Sequence, residues 1–88
     1  MQSGRPRPES IRDATLNTLR RAAENGLESV AFPALGTDVG GFALDAAARE
    51  MARAVHDYED EQPDTSVASV IFVLRDEASL REFRRGMG

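Results

Sequence analysis

The 88-residue sequence contains no cysteine, no tryptophan and no lysine, and a single histidine, His56. Without cysteine there is neither a disulfide staple nor a thiolate metal site, which fits a reducing compartment and makes a cytoplasmic location the expectation. One histidine does not supply the converging ligands that structural or catalytic zinc requires, so no metal and no cofactor are expected. His56 sits beside Asp57 late in an expected helix and reads as a surface or half-buried residue. No apolar run approaches the roughly 18 residues of a membrane span, and the N-terminus lacks the apolar stretch of a signal peptide. All eleven basic residues are arginine, and the net charge is −4. An acidic chain is a poor partner for duplex nucleic acid. Arg75, Arg81, Arg84 and Arg85 gather near the C-terminus and read as a solvated helix face. The acidic run Glu59, Asp60, Glu61 and Asp64 lacks the ordered spacing of a calcium loop.

What is present is 41% apolar and 30% charged, the balance of a soluble globular chain. Eighty-eight residues allow one small domain, which buries only about 60–65% of the surface of its unfolded chain. Residues 1–9 read as a disordered lead-in, since two prolines and two arginines crowd into residues 5–8. Ser10 is an expected N-cap, and Ile11, Ala14, Thr15, Leu19, Ala22 and Ala23 form one helical stripe that Asn25-Gly26 ends. Ser29 to Leu35, SVAFPAL, reads as a short strand apolar on both faces, with Pro33 interrupting its ladder. Leu44 to about Tyr58 is an expected helix, with Ala47, Ala48, Met51, Val55 and Tyr58 inward and Arg49, Glu50, Arg53 and Asp57 outward. Val67 to Leu74, VASVIFVL, reads as an inner strand, and Asp76 as the cap of a last helix carrying Leu80 and Phe83.

The order α-β-α-β-α implies two parallel strands in an α/β fold. Two such strands alone make a poor sheet, because each wants cover on both faces and a neighbour on each edge. The expectation is therefore a partial three-layer α/β/α arrangement.

Between the first strand and the second helix stand Gly36, Thr37, Asp38, Val39, Gly40, Gly41 and Phe42. A glycine-rich strand-to-helix turn lets backbone N–H groups approach an anion, with the helix dipole behind them. Gly36 and Gly41 have the outer spacing of a Walker A loop, but Phe42-Ala43 occupy the Lys-Ser/Thr positions. Asp38 stands where a dinucleotide fingerprint needs its second glycine. Neither a nucleotide triphosphatase nor a dinucleotide oxidoreductase is expected. No serine has a nucleophile-elbow setting, and no nucleophile-base pair is visible.

The segment SVAFPALGTDVGGFALDAAARE, followed by VASVIFVLRD, resembles the C-terminal half of a macro domain, an ADP-ribose-binding module. The likeness extends from about Ser10 to Phe83 and is densest from Ala31 to Ala48. It implies that Gly36, Thr37, Asp38, Val39, Gly40, Gly41 and Phe42 form the diphosphate and ribose site. Backbone N–H groups of Thr37, Asp38, Val39 and Gly40 would meet the diphosphate, and Phe42 would lie near the distal ribose. It also implies adenine stacking by Arg75. Asp38 replaces a family glycine, and a carboxylate ~5 Å from a phosphate charge costs roughly 1–3 kcal/mol at effective dielectrics between that of water and ~20. The family's N-terminal half, on which hydrolase activity largely relies, has no counterpart in residues 1–9. The expectation is weak binding of ADP-ribose or a related nucleotide diphosphate, and not an enzyme unless that half is supplied. The alternative is a scaffold that does not bind and completes its sheet by homodimerisation or with a complementing N-terminal chain.

Overall fold

A computed structural model describes residues 8–35, 38–39 and 42–88. The elements in chain order are α1 (Pro8–Glu24), β1 (Ser29–Leu35), β2 (Asp38–Val39), β3 (Phe42–Ala43), α2 (Leu44–Glu61), β4 (Ser69–Leu74) and α3 (Glu77–Met87). Helix α1 starts two residues before the expected cap at Ser10, with a proline in its first position, where the missing N–H costs nothing. It ends as its sequence dictates. Gly26 takes φ +68°, the Gly26 N–H donates to the Ala23 carbonyl (3.0 Å), and the Leu27 N–H reaches back to Ala22 (2.9 Å). That is the Schellman closure, which needs a residue free of the left-handed penalty.

β1 and β4 pair in parallel, as the crossover through α2 requires, in the register Ser29↔Ser69 through Phe32↔Phe72. The ladder slips between Phe32 and Leu35, where Pro33 lacks an N–H, and resumes at Leu35↔Leu74. β4 is two residues shorter than expected at its start. The Ala68 N–H donates to the Glu28 carbonyl (2.7 Å) just before the strand begins.

The helices pack on one face of this sheet. Ile11 of α1, Leu44, Ala47, Ala48 and Met51 of α2 and Phe83 of α3 form the buried cluster, with Phe32, Leu35, Phe72 and Leu74 seated against it. Phe32 stacks on Phe72 at 5.3 Å between ring centroids, and Phe72 meets Phe83 at 5.0 Å with the rings tilted. Such pairs each add about 0.5–1.5 kcal/mol beyond the burial of their area. The opposite face is open. Ala31 is exposed, and Ile71 and Val73 remain 47% and 46% exposed. Two strands that read as apolar on both faces thus have cover on only one among the described residues, as the expected partial arrangement implies. This is the partial form of a three-layer fold, one helical layer on one sheet face.

Two departures have local causes. Glu50 is expected on the outer face of α2, yet it is 8% exposed. Arg12 of α1 approaches its carboxylate at 3.5 Å and Arg53 at 3.2 Å, so charge compensation permits a burial that hydropathy alone forbids. Helix α2 also runs to Glu61, past Tyr58. Arg20 of α1 grips Glu61 with two guanidinium bonds of 2.8 and 2.6 Å, and the Tyr58 hydroxyl pairs with that of Thr65.

Candidate functional site

The C-terminal ends of β1 and β4 share one edge of the sheet. After Leu35 the chain enters the glycine turn, and β4 ends one residue before Arg75. The Arg75 N–H donates to the Leu35 carbonyl at 2.9 Å, so Arg75 is fixed next to the start of the turn. Its side chain is exposed. Ligands of α/β sheets bind at this edge, where helices begin.

Part of the turn is itself a hairpin. β2 and β3 pair antiparallel, with Asp38 opposite Ala43 and Val39 opposite Phe42. The sequence offers one signal for it, Gly40-Gly41 between Asp38-Val39 and Phe42-Ala43, which fits a strand-to-helix loop equally well. Val39 and Phe42 are half-buried against the core cluster. Phe42 is thus anchored in the fold, with only part of its ring open to a ligand. The other site residues expected from the sequence, Gly36, Thr37, Gly40 and Gly41, lie outside the described residues.

Two helices begin at this edge, and they begin differently. Helix α3 has Asp76 as its N-cap, whose carboxylate accepts the Ser79 N–H at 2.8 Å. That bond, reinforced by the Ser79 hydroxyl and Arg75, holds the Asp76 carboxyl below its ordinary pKa. Helix α2 has Ala43 at its cap position, with no side-chain cap. Its first turn is not wholly open, since the Asp45 carboxylate takes the Ala46 N–H at 2.8 Å. Asp45 is a residue that the sequence reading passed over, although an acid in a first helical turn is a known complement to the dipole. It places a carboxylate in the first turn of α2.

His56 is exposed and pairs with Glu59 at 3.5 Å, far along α2 from this edge. Among the described residues, no group of three or more His, Cys, Asp or Glu side chains is placed to hold a metal ion. No helix among them is long and apolar enough to cross a membrane.

The model of the macro domain family matches residues 1–51 of the chain. An O-acetyl-ADP-ribose deacetylase of Cronobacter sakazakii is 37% identical over 81 residues, covering 92% of this chain and 44% of that protein. An uncharacterized protein of Mycobacterium tuberculosis is 44% identical over 75 residues, covering 85% of this chain and 20% of its own length. One from Thermotoga maritima is 32% identical over 75 residues, 85% of this chain and 12% of that protein. The chain spans less than half the length of each of these relatives.

Proposed function

Because the chain belongs to the macro domain family, we propose that it binds the diphosphate of ADP-ribose, or of a related nucleotide, through the turn from Gly36 to Phe42. The observation that carries this reading is the sheet edge itself. A parallel strand pair ends beside the glycine turn, and the helix that follows starts without a side-chain cap. Uncapped N–H groups and the positive end of the helix dipole suit an anion there. The Cronobacter relative, named for a substrate that contains ADP-ribose, supports the ligand class. Arg75, fixed beside Leu35, is the residue we assign to stacking on the adenine.

Binding is weak on this reading, because Asp38 and Asp45 oppose phosphate at the turn. Titration calorimetry against ADP-ribose tests it. The expected result is measurable heat and a thermal shift at millimolar ligand; the absence of both would end the proposal. Asp38→Gly should tighten the dissociation constant, by up to about a hundredfold if the carboxylate lies ~5 Å from phosphate. Unchanged or poorer binding would show that the electrostatic account of the turn is wrong.

The half-covered sheet favours a second reading, a scaffold whose sheet another polypeptide completes. The exposed Ile71 and Val73 are its motive. Light scattering separates the two, since a binding module acting alone is a stable monomer with a cooperative melt.

A further inference from the structure

The chain has two asparagines, Asn17 and Asn25, and only Asn25 is followed by glycine. That order of residues has a chemistry of its own. A main-chain nitrogen attacks the side-chain amide carbon of the asparagine before it most readily when its own residue has no Cβ to crowd the approach or restrict the backbone. Asparagine is accordingly among the thermolabile residue types. The fold places this pair just past the last residue of α1, and Asn25 is exposed. Among the described residues, nothing lies within 4 Å of the position that a Gly26 Cβ would take.

Both reacting groups are nevertheless tied down. The Gly26 N–H donates to the Ala23 carbonyl (3.0 Å), and the Asn25 Nδ2 donates to the Arg21 carbonyl (2.9 Å). The nitrogen that attacks is thus engaged with the helix through its proton, and the amide that leaves is held against the last turn. These bonds belong to a helix end, where local opening costs least. We propose that Asn25 is a modification site, deamidated without an enzyme through a cyclic imide, and that the closing turn of α1 gates the reaction. When the turn opens, the Gly26 nitrogen gives its proton to water and its electron pair forms a bond to Asn25 Cγ. The Cγ–Nδ2 bond breaks, and the side-chain nitrogen takes up a proton and leaves as ammonia. Water then adds to one of the two imide carbonyl carbons. Opening of the bond from Cγ to the Gly26 nitrogen gives aspartate. Opening on the main-chain carbonyl side gives isoaspartate, whose backbone is longer by one methylene. Nothing is oxidised or reduced, and water is the one co-reactant.

The consequence reaches the sheet. Either product loses the donor to Arg21 and sets a carboxylate at a helix C-terminus, where the dipole is already negative. Isoaspartate also lengthens the main chain three residues before Glu28, whose carbonyl accepts the Ala68 and Ser69 N–H groups and so fixes the start of β4 beside β1. The proposal is independent of nucleotide binding.

Mass spectrometry of tryptic peptides tests it on the unaltered protein. Cleavage after arginine puts Asn25 in the peptide 22–49 as its sole asparagine and Asn17 in the peptide 13–20, so each digest carries its own control. At mildly alkaline pH in urea, Asn25 should convert to aspartate and isoaspartate while Asn17 stays intact. In the native protein the same conversion should run about tenfold or more slower, in proportion to the open fraction of the helix end. Gly26→Ala should slow the reaction in urea about tenfold, a readout that does not require the variant to fold. In aged native protein, the isoaspartate fraction should exchange the Ala68 and Ser69 amide hydrogens about tenfold faster than the unmodified fraction. Equal rates in native and unfolded protein would overturn the gate. Conversion of Asn17 as fast as Asn25, or no slowing by Gly26→Ala, would overturn the site, and unchanged exchange at Ala68 and Ser69 would overturn the link to β4.

Discussion

On one face of the β1–β4 sheet, Phe32, Phe72 and Phe83 form a row of contacting rings; on the other, Ile71 and Val73 stand nearly half exposed. Both faces of β4 are largely apolar, with Val70, Phe72 and Leu74 on one and Ser69, Ile71 and Val73 on the other. Their fates differ because of what lies against them, not because of what they are. Apolar patterning states a requirement for cover, and neighbouring elements decide whether it is met.

The contrast can be broken most severely from the covered side. Phe83 is 3% exposed and bridges α3 to the sheet through Phe72. Phe83→Ala should cost about 3–5 kcal/mol in urea unfolding. A domain of this size holds only about 4–13 kcal/mol in total, so much of the fold would be lost. A loss below about 1 kcal/mol would show that the covered face is not the seat of stability.

Next is Gly86, buried where α3 crosses the start of α2. A Cβ built there would stand 2.0 Å from the Asp45 carbonyl oxygen and 2.8 Å from the Ala48 Cβ. Helix propensity alone predicts that Gly86→Ala gains about 1 kcal/mol. Overpacking predicts a loss of about 1–3 kcal/mol, and we expect the loss to win because backbone cannot swing aside. The sign of the change in melting temperature decides between them.

A smaller effect belongs to Asp76. Its carboxyl is held below the ordinary aspartate pKa, chiefly by the Ser79 N–H. A depressed folded-state pKa contributes stability that is fully present above the unfolded value and is lost as pH falls through the folded one. Asp76→Ala should lower the melting temperature at neutral pH and flatten its decline in acid. Parallel wild-type and variant profiles through the acid range would contradict this assignment. Least of all is Ile71→Thr, which should leave the isolated chain within about 0.5 kcal/mol of wild type, since the residue has no cover to lose. A larger loss would mean that the open face is covered in solution.

Much of this architecture was legible. Ser29 to Leu35 is the strand that the run SVAFPAL announces, Pro33 breaks its ladder as a residue without an N–H must, and Asp76 caps α3. Asn25-Gly26 ends α1 because the left-handed position favours glycine. What escaped was contextual. The burial of Glu50 depends on Arg12, which is distant in sequence, and no outward-inward pattern registers a neutralised charge. Missing cover was legible, but which face stays open was not, because a run apolar on both sides records only the demand for burial. At the site, Leu44 as the start of α2 was legible, whereas the β2–β3 pairing had only its Gly-Gly signal, since two residues per strand give no periodicity to read.

The bond from the Arg75 N–H to the Leu35 carbonyl has a bearing on recognition. It pins the exit of β4 to the last residue before the glycine turn, so the two ends of the ligand contact proposed above hang from one anchorage. On the proposed reading, a nucleotide reaching from the turn to Arg75 would be gauged against a distance set by main chain, and side-chain changes at either end would leave that span intact. Selection between longer and shorter ligands would follow from this built-in ruler, and re-cutting it would require moving the strand ends themselves.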